Sequence, residues 1–583
     1  MMIELNPGII LILGALTIPL APRALRGVIS LALPVLALAH LLALPSGEQG
    51  VITLFDYNLV TLRNDGLAFA FGLVFLAAAF LAALYAFHLR GWLEPMCAQM
   101  YAGAAIGAVF AGDFITMFAF WEITAIASVF LIWGRGTERA FACGMRYLIV
   151  QIGSGVILLA GVLILAQQAN TIAFNQVADV DIARLDEIPL YAWLILLGFG
   201  IKAAFPLLHN WLPDAYPEAT VTGGVWLSAF TTKLAIYALA RGFPGSDILI
   251  WIGVIMALYP LVSAMLEDDM RRVLAHAINN QLGFMVIGIG VGTAFALSAV
   301  TAQAICHVLY KALLFMSIGA VLHRTGTANA SQLGGLWRAM PLTCGAAIVG
   351  ALAMSTPLFA GFVAKALVSG AVGEAKEFGP WLILILASAG VFFAAGLRLV
   401  FFTFFGTAQS DPARAVAADT QAEAPANMLV AMGLTSVLLV ALGIVPSALY
   451  AVLPAPVTYD AYTLGHVITQ FQLLAVTTAV FAGLVAYGFY RRPTPATYLK
   501  FDWFYRKLGY NIASTVLVML ASAWGFVSAT AAGAVSAAEQ SIGRTHNPDG
   551  ILGRTWSTGL MAFIATVMLA GYLIVFLIRD TAN

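Results

Sequence analysis

Six ionisable residues lie inside long apolar runs of this 583-residue chain. They are one glutamate, one histidine and four lysines: Glu122, Lys202, Lys233, His307, Lys311 and Lys365. A charged side chain in the middle of an apolar span costs about 2.5–3.5 kcal/mol on insertion scales, so it is expected to face a partner charge, the protein interior or water. These six residues are therefore the first candidates for a functional site.

Four mid-span lysines cannot all form static ion pairs with a single mid-span glutamate. A buried amine without a partner can lose its proton near neutral pH. A row of such amines is typical of a proton relay, whereas a lone buried lysine paired with a carboxylate would only fix helix packing. We expect Glu122 and Lys202 to lie within salt-bridge or single-water distance across facing helices, and Lys311 to be the central group.

His307 and Lys311 are four residues apart, so both point to the same face of one helix. An imidazole beside an amine can exchange a proton directly or through water. Four further residues are secondary candidates, and for His276 a plain polar contact between helices is an equal alternative. These secondary candidates are His209, Asp214, His276 and His323.

No pattern in the sequence predicts a metal or a cofactor. None of the four cysteines forms a CxxC pair and each sits in or beside an apolar stretch, so we expect packing residues rather than disulfides or iron–sulfur ligands. A haem would need two facing axial histidines, and no dinucleotide-binding glycine pattern occurs. The cysteines are Cys97, Cys143, Cys306 and Cys344.

The composition indicates which elements must position these residues. The chain is 61% hydrophobic and 10% charged, against roughly 25% charged in ordinary soluble domains, and its formal net charge is zero. Continuous apolar runs exclude a soluble enzyme, a nucleic-acid binder, a secreted disulfide scaffold and a β-barrel. The predicted fold class is an all-α polytopic membrane protein in contact with the lipid bilayer.

Fourteen apolar runs form the predicted core, and a C-terminal extension adds two or three helices. The core runs are 8–22, 27–45, 66–88, 98–111, 113–134, 143–167, 190–209, 220–241, 247–265, 273–293, 295–322, 341–370, 381–406 and 427–453. The later runs are 466–489, 511–538 and 556–578, of which 511–538 either spans the bilayer or lies laterally along the protein, with the lateral alternative preferred.

The first run has no basic segment or cleavage site before it, so we expect a retained span. Loops after odd-numbered spans carry most of the arginines, for example Arg135, Arg271 and Arg338. The positive-inside rule then predicts that these loops are cytoplasmic and that the N-terminus lies on the outer, periplasmic side of a bacterial inner membrane.

Prolines interrupt two of the spans that carry lysines. Pro206 and Pro213 follow Lys202, and Pro357 precedes Lys365, so the seventh and twelfth helices are predicted to be broken. Interrupted helices at matching places indicate inverted repeats, here spans 4–8 and 9–13. The predicted organisation is 1–97 (spans 1–3), 98–241 (first repeat), 247–406 (second repeat) and 427–583 (span 14 and extension).

Five strings in the chain resemble one known family, and they occur in its order. These strings are KAAFPLLHNWLPDAYPEA, DDMRRVLAHAINNQLGFM, HVLYKALLFMSIGAVLHRTGT, GGLWRAMP and PLFAGFVAK. They are similar to motifs of the antiporter-like membrane subunits of Mrp-type cation/proton antiporters, including their D-type subunits, of respiratory complex I and of related hydrogenases. His276 stands where that family usually has a tyrosine.

The resemblance implies a polar axis through the membrane that carries protons. The family's positions on helices 5, 7, 8, 11 and 12 match Glu122, Lys202, Lys233, Lys311 with His307, and Lys365. It implies a proton-translocating subunit of a multi-subunit Mrp-type (Na⁺)/proton antiporter, not an enzyme by itself. The alternative is a proton-pumping subunit of a complex I-like or hydrogenase-like redox complex. Other membrane subunits are the implied partners.

Two rival classes stay open on the residues alone. A lipid-modifying membrane enzyme could use His307 and Lys311 catalytically, although its acid/base group should lie near the lipid headgroups. A purely structural subunit could retain these charges without transporting anything, in which case Lys311→Ala would leave ion transport unchanged.

Overall fold

The structure, a computed structural model, describes residues 4–54, 57–174, 177, 188–419, 422–488, 503–547, 550 and 556–580. It contains two compact units, Met1–Tyr498 and Leu499–Asn583, and each is considered by itself. The first unit contains all six mid-span candidates.

Helices dominate the first unit, as predicted for a polytopic membrane protein. Its N-terminal part consists of α1 (Pro7–Ala15), α2 (Arg26–Ala43), α3 (Gly66–Tyr85), α4 (Leu93–Val109), α5 (Phe114–Trp133), α6 (Glu138–Ala169), α7 (Leu190–Lys202), α8 (Trp211–Ala215), α9 (Gly223–Ala229) and α10 (Thr231–Gly242). The remainder consists of α11 (Asp247–Leu266), α12 (Met270–Val291), α13 (Ala294–Thr325), α14 (Pro341–Leu352), α15 (Ala360–Glu374), α16 (Phe378–Phe405), α17 (Asp411–Ala418), α18 (Ala426–Ile444), α19 (Pro446–Tyr450) and α20 (Leu464–Ala486).

Twelve helices in the described part of the chain are long and apolar enough to cross a membrane. The innermost are α12 and α13, in which almost every residue is buried. Since α13 carries His307 and Lys311, the two residues lie at the centre of the bundle.

A β-hairpin is an addition to the predicted all-α fold. Strand β1 (Gly47–Leu54) pairs antiparallel with β2 (Tyr57–Asn64). The connection between α4 and α5 fixes β2, because the Gly112 amide donates to the Val60 carbonyl oxygen (2.8 Å). The hairpin occupies the short loop between the second and third predicted spans, where hydropathy carries no signal for strands.

The two predicted helix breaks are present. The first separates α7 from α8 and contains Ala204 and Leu207 with φ of 61° and 71°, and the second separates α14 from α15 and contains Leu358 with φ of 75°. A third break was not predicted: the eighth span ends as α9 at Ala229 and restarts as α10 at Thr231. No proline stands at this break, so no local residue type marks it.

The same local arrangement occurs twice, in the two proposed halves. Asp113 and Asp269 cap α5 and α12, and each residue forms an isolated antiparallel bridge to the segment after the next helix. Thr137 and Thr293 cap α6 and α13, which are both 32 residues long. All these pairs have the same separation along the sequence, so α5 and α6 of the first half match α12 and α13 of the second in spacing.

The second unit contains a long helix, α21 (Tyr510–His546), and α22 (Thr558–Asp580). At 1.5 Å per residue, the 37 residues of α21 extend for about 55 Å, whereas the hydrocarbon core of a bilayer is roughly 30 Å thick. That length exceeds one crossing, and the helix is also among the twelve that are apolar enough to span a membrane; the choice between a span and a lateral helix stays a prediction.

Candidate functional site

Lys202 is the last residue of α7, and its side chain reaches α5. Its amine donates hydrogen bonds to the Trp121 carbonyl oxygen (3.0 Å) and to the Thr124 hydroxyl (2.8 Å), and it lies 4.1 Å from the centroid of the Trp121 ring. The helix break frees carbonyl groups at this end, one of which, on Ile201, accepts from the Trp211 indole (2.9 Å). The amine is therefore held by its bonds to α5, beside a break that the Trp211 contact bridges.

Glu122 lies on α5 between these two contacts of Lys202. The carboxylate interacts electrostatically with Lys202, but the two groups form no ion pair within 4.0 Å. One carboxylate oxygen is buried without a hydrogen-bond partner among the described residues, and it packs against Gly155 of α6. A water molecule can bridge such a gap between polar groups.

Buried hydroxyl groups connect α5, which Lys202 contacts, to the start of α10, which carries Lys233. The Ser128 hydroxyl lies 2.8 Å from the Tyr147 hydroxyl, and the Tyr101 hydroxyl lies 2.5 Å from that of Thr231. Tyr147 also interacts with Thr231. Hydroxyls both donate and accept hydrogen bonds, so this cluster of Ser128, Tyr147, Tyr101 and Thr231 joins α5 to the start of α10.

Lys233 is fully buried in α10. Its amine donates to the carbonyl oxygen of Ser228 (2.5 Å), in the last turn of α9. The unpredicted break between α9 and α10 exposes that carbonyl, because the last carbonyls of a helix have no partner within it. The break thus explains how the buried Lys233 amine is accommodated here without an acidic partner.

His307 and Lys311 are fully buried in the middle of α13. Neither the two ring nitrogens of His307 nor the amine of Lys311 has a hydrogen-bond partner within the described ranges. His307 interacts electrostatically with Lys233, Lys311 and Lys365. Buried polar groups are costly unless they bind protein or water, so these atoms mark a place where water is expected.

Lys365 lies on α15 after the second break. Its amine donates to the hydroxyls of Ser355 (2.8 Å) and Ser388 (3.1 Å), and it lies 5.4 Å from the centroid of the Phe284 ring. These residues also line a cavity of about 730 Å³ between α15, α16 and α20. Of the six candidates, Lys365 is the one that lines this cavity.

The secondary candidates occupy different places. His209 lies in the break after Lys202, with its ring 5.1 Å from that of Tyr259, and His276 is buried in α12. Asp214 accepts hydrogen bonds from Arg146 (2.8 and 3.0 Å), a partly exposed ion pair. His323 lies near the end of α13, about three turns from Lys311, so it and Asp214 stand apart from the central group.

Several polar residues of the site were not found from the sequence. They include Thr124, Ser128, Tyr147, Thr231, Ser355 and Ser388. Hydroxyl residues are common in apolar helices, where they usually bond to their own backbone, so their type carries little signal. Thr124 and Ser128 are four residues apart and share one face of α5, but Glu122 lies on another face, so no mid-span charge marked them.

The chain is similar to membrane subunits of known ion-transporting and redox complexes. Residues 111–396 match the family model described as "NADH:quinone oxidoreductase/Mrp antiporter, TM". A relative from Alkalihalophilus pseudofirmus, described as a subunit of an Na⁺/H⁺ antiporter, is 30% identical over 430 residues, which are 67% of this chain and 53% of that relative. The chain thus spans about half the length of that relative.

Another relative is covered more completely. NADH-quinone oxidoreductase subunit N from Desulforudis audaxviator is 30% identical over 405 residues, which are 64% of this chain and 80% of the relative. Among solved structures, a chain of the Mrp complex from a Dietzia species has the same fold, with a TM-score of 0.70 at 23% identity over 98% of this chain and 62% of that one. The chain therefore belongs to the NADH:quinone oxidoreductase/Mrp antiporter membrane family.

Proposed function

We propose that this chain is the proton-translocating subunit of a multi-subunit Mrp-type cation (Na⁺)/proton antiporter in the bacterial cell membrane. The observation that carries the proposal is the buried group formed by Lys233, His307, Lys311 and Lys365, whose charges interact with one another. Three of its nitrogen atoms, on His307 and Lys311, have no protein partner in the described structure. A structural core would not keep such atoms without compensation.

In this proposal the proton moves in steps along groups that both bind and release it. A proton held between Glu122 and Lys202 passes through the hydroxyl cluster to Lys233. It continues to His307 and Lys311 in α13 and then to Lys365. The chain itself transforms no substrate and holds no cofactor in this proposal, and His209 and His276 are secondary relay candidates, with Asp214 and His323 at the periphery.

Two inverted repeats frame this path in our proposal, 98–241 and 247–406, between 1–97 and 427–583. The matched caps and bridges of α5 and α12, and the equal lengths of α6 and α13, support the repeats. The breaks are only approximately matched, since Lys202 precedes its break and Lys365 follows its own. The arginine distribution predicts an outer N-terminus. With that orientation, Lys365 would lie toward the outer side of the membrane.

The partners in this proposal are other membrane subunits of the same complex, because the relatives are described as subunits of antiporters or oxidoreductases. The second candidate function is a proton-pumping subunit of a complex I-like or hydrogenase-like redox complex. The 80% coverage of an NADH-quinone oxidoreductase subunit supports that alternative. In that case partner subunits would carry out the electron transfer.

The test is to purify the complex that contains this chain and reconstitute it in vesicles with an imposed pH gradient. An antiporter collapses the gradient when Na⁺ or K⁺ is added without an electron donor, and Lys311→Ala should abolish this response while Lys507→Ala, an exposed lysine, should not change it. A response that requires a reduced electron donor, together with copurified flavin or iron–sulfur subunits, would establish the redox alternative instead.

A further inference from the structure

The cavity at Lys365 leads away from the centre of the bundle toward the start of α20. At its inner end are Lys365, Ser355 and Ser388. Its outer part is lined by residues of the first two turns of α20, among them His466 and Gln470, and by Tyr459 of the preceding loop. A volume of about 730 Å³ has room for on the order of twenty water molecules, at about 30 Å³ each.

The His466 side chain is held by defined contacts at this outer end of the cavity. Its Nε2 atom lies 3.2 Å from the Tyr459 hydroxyl, and the two rings are stacked with centroids 5.7 Å apart. The Tyr459 ring in turn lies directly on Gly370 of α15, where a Cβ would approach it to 2.7 Å. The contact therefore fixes the imidazole beside α15, the helix that carries Lys365.

The charges around the contact between His466 and Tyr459 favour passage of a proton through the cavity. Lys365 is the cation that lines the cavity, and Glu374 and Asp460 interact electrostatically with Tyr459 at the other end. Among the described residues that line the cavity, His466 is the one histidine, and an imidazole can accept a proton on one ring nitrogen and donate one from the other. With Nε2 against Tyr459, Nδ1 is available to water.

We propose that His466, oriented by Tyr459, is the proton-transfer group that connects Lys365 to the aqueous phase at the start of α20. This inference rests on the proposed function and adds a station outside the fourteen-span core. The Lys365 ammonium gives its proton to water in the cavity, His466 accepts a proton from that water, and the imidazolium then releases it to bulk water. No other bond forms or breaks, and Tyr459 is a positioning residue.

The decisive experiment is chemical rescue of His466→Ala in the reconstituted complex. We expect proton flux to fall at least about tenfold, since a positioned proton-transfer group contributes roughly 10²–10⁴-fold, and to recover when imidazole is added on the side where α20 begins. Imidazole should not rescue Lys365→Met. Tyr459→Phe should reduce flux partially, since the stacking remains.

A second measurement tests access to the cavity. The four native cysteines are buried, so a single Ser369→Cys in the cavity lining should react with a membrane-impermeant thiol reagent. Val368→Cys, on the same helix but fully buried, should not react. Absence of labelling at both positions would overturn the water-filled route.

The outcomes separate this inference from the proposed function. Wild-type flux in His466→Ala, or a loss of flux that imidazole does not restore, would overturn the role of His466. The proposed function would still stand in that case if Lys365→Met lost its flux. Wild-type flux in Lys365→Met would instead contradict the proposed function.

Discussion

Substitution of Gly155 is the sharpest test of the role of Glu122 in the proton path. Gly155 has no side chain, and the Glu122 carboxylate occupies the space where one would lie. A Cβ built at Gly155 would overlap the Glu122 carboxylate oxygen. Gly153 lies on the same helix and has nothing within 4 Å of the equivalent position. Gly155→Ala and Gly153→Ala are therefore a matched pair that differ mainly in whether the new methyl group meets Glu122.

The expected magnitude follows from that overlap. A carbon–oxygen contact requires about 3.3 Å, so the carboxylate must move by roughly 1.7 Å in Gly155→Ala. Overpacking of this kind costs about 1–3 kcal/mol, against a gain of about 1 kcal/mol in helix propensity that both variants share. A displacement of 1 Å at a reacting group can cost about 10²-fold in rate, so we expect proton flux to fall tenfold or more.

The assay is proton flux in reconstituted vesicles, with assembly of the complex checked by its migration in a native gel. Gly153→Ala should retain wild-type flux and equal or higher thermal stability. Gly155→Ala should assemble but transport slowly. Equal flux in the two variants would refute the reasoning that the position of the Glu122 carboxylate matters.

Three further predictions concern other parts of the path. Lys365→Glu should retain part of the proton flux while Lys365→Met loses nearly all of it, because the position needs a titratable group; equal flux in Met and wild type would count against this role. Tyr147→Phe should slow flux severalfold without loss of assembly, since it removes one hydroxyl from the cluster beside Ser128, and an unchanged rate would exclude that route. Gly361→Ala should lower the melting temperature of the complex, because a Cβ there would collide with the Ala353 carbonyl oxygen. Gly345→Ala has open space around the new methyl group and should leave the melting temperature unchanged. Equal melting temperatures in the two variants would show that the helix break tolerates the change.

The spans and the two proline-marked breaks were predictable because hydropathy and proline act through the local backbone. Apolar runs must be helical where no water can satisfy backbone groups, so a polytopic all-α fold followed from composition alone. The hairpin of β1 and β2 and the break at Phe230 were not predictable, because both depend on contacts with distant elements. Tyr101, for example, accepts from the Thr231 amide (2.9 Å) at that break.

The charged members of the site could be named from the sequence because each is expensive in an apolar span. Their mutual arrangement could not, since it depends on how α5, α10, α13 and α15 pack together. Glu122 and Lys202, expected within salt-bridge or single-water distance, are an example: the two groups interact electrostatically, and the amine bonds directly to Trp121 and Thr124. The hydroxyl residues between the lysines have ordinary types and left no pattern.

The central role proposed for Lys311 is to pass protons on rather than to supply a fixed charge. The most direct test compares proton flux in assembled complexes that carry Lys311→Arg or Lys311→His. Arginine keeps its proton at any working pH, whereas histidine titrates near neutrality. We expect no flux with arginine and partial flux with histidine, and wild-type flux with arginine would contradict the proposed role.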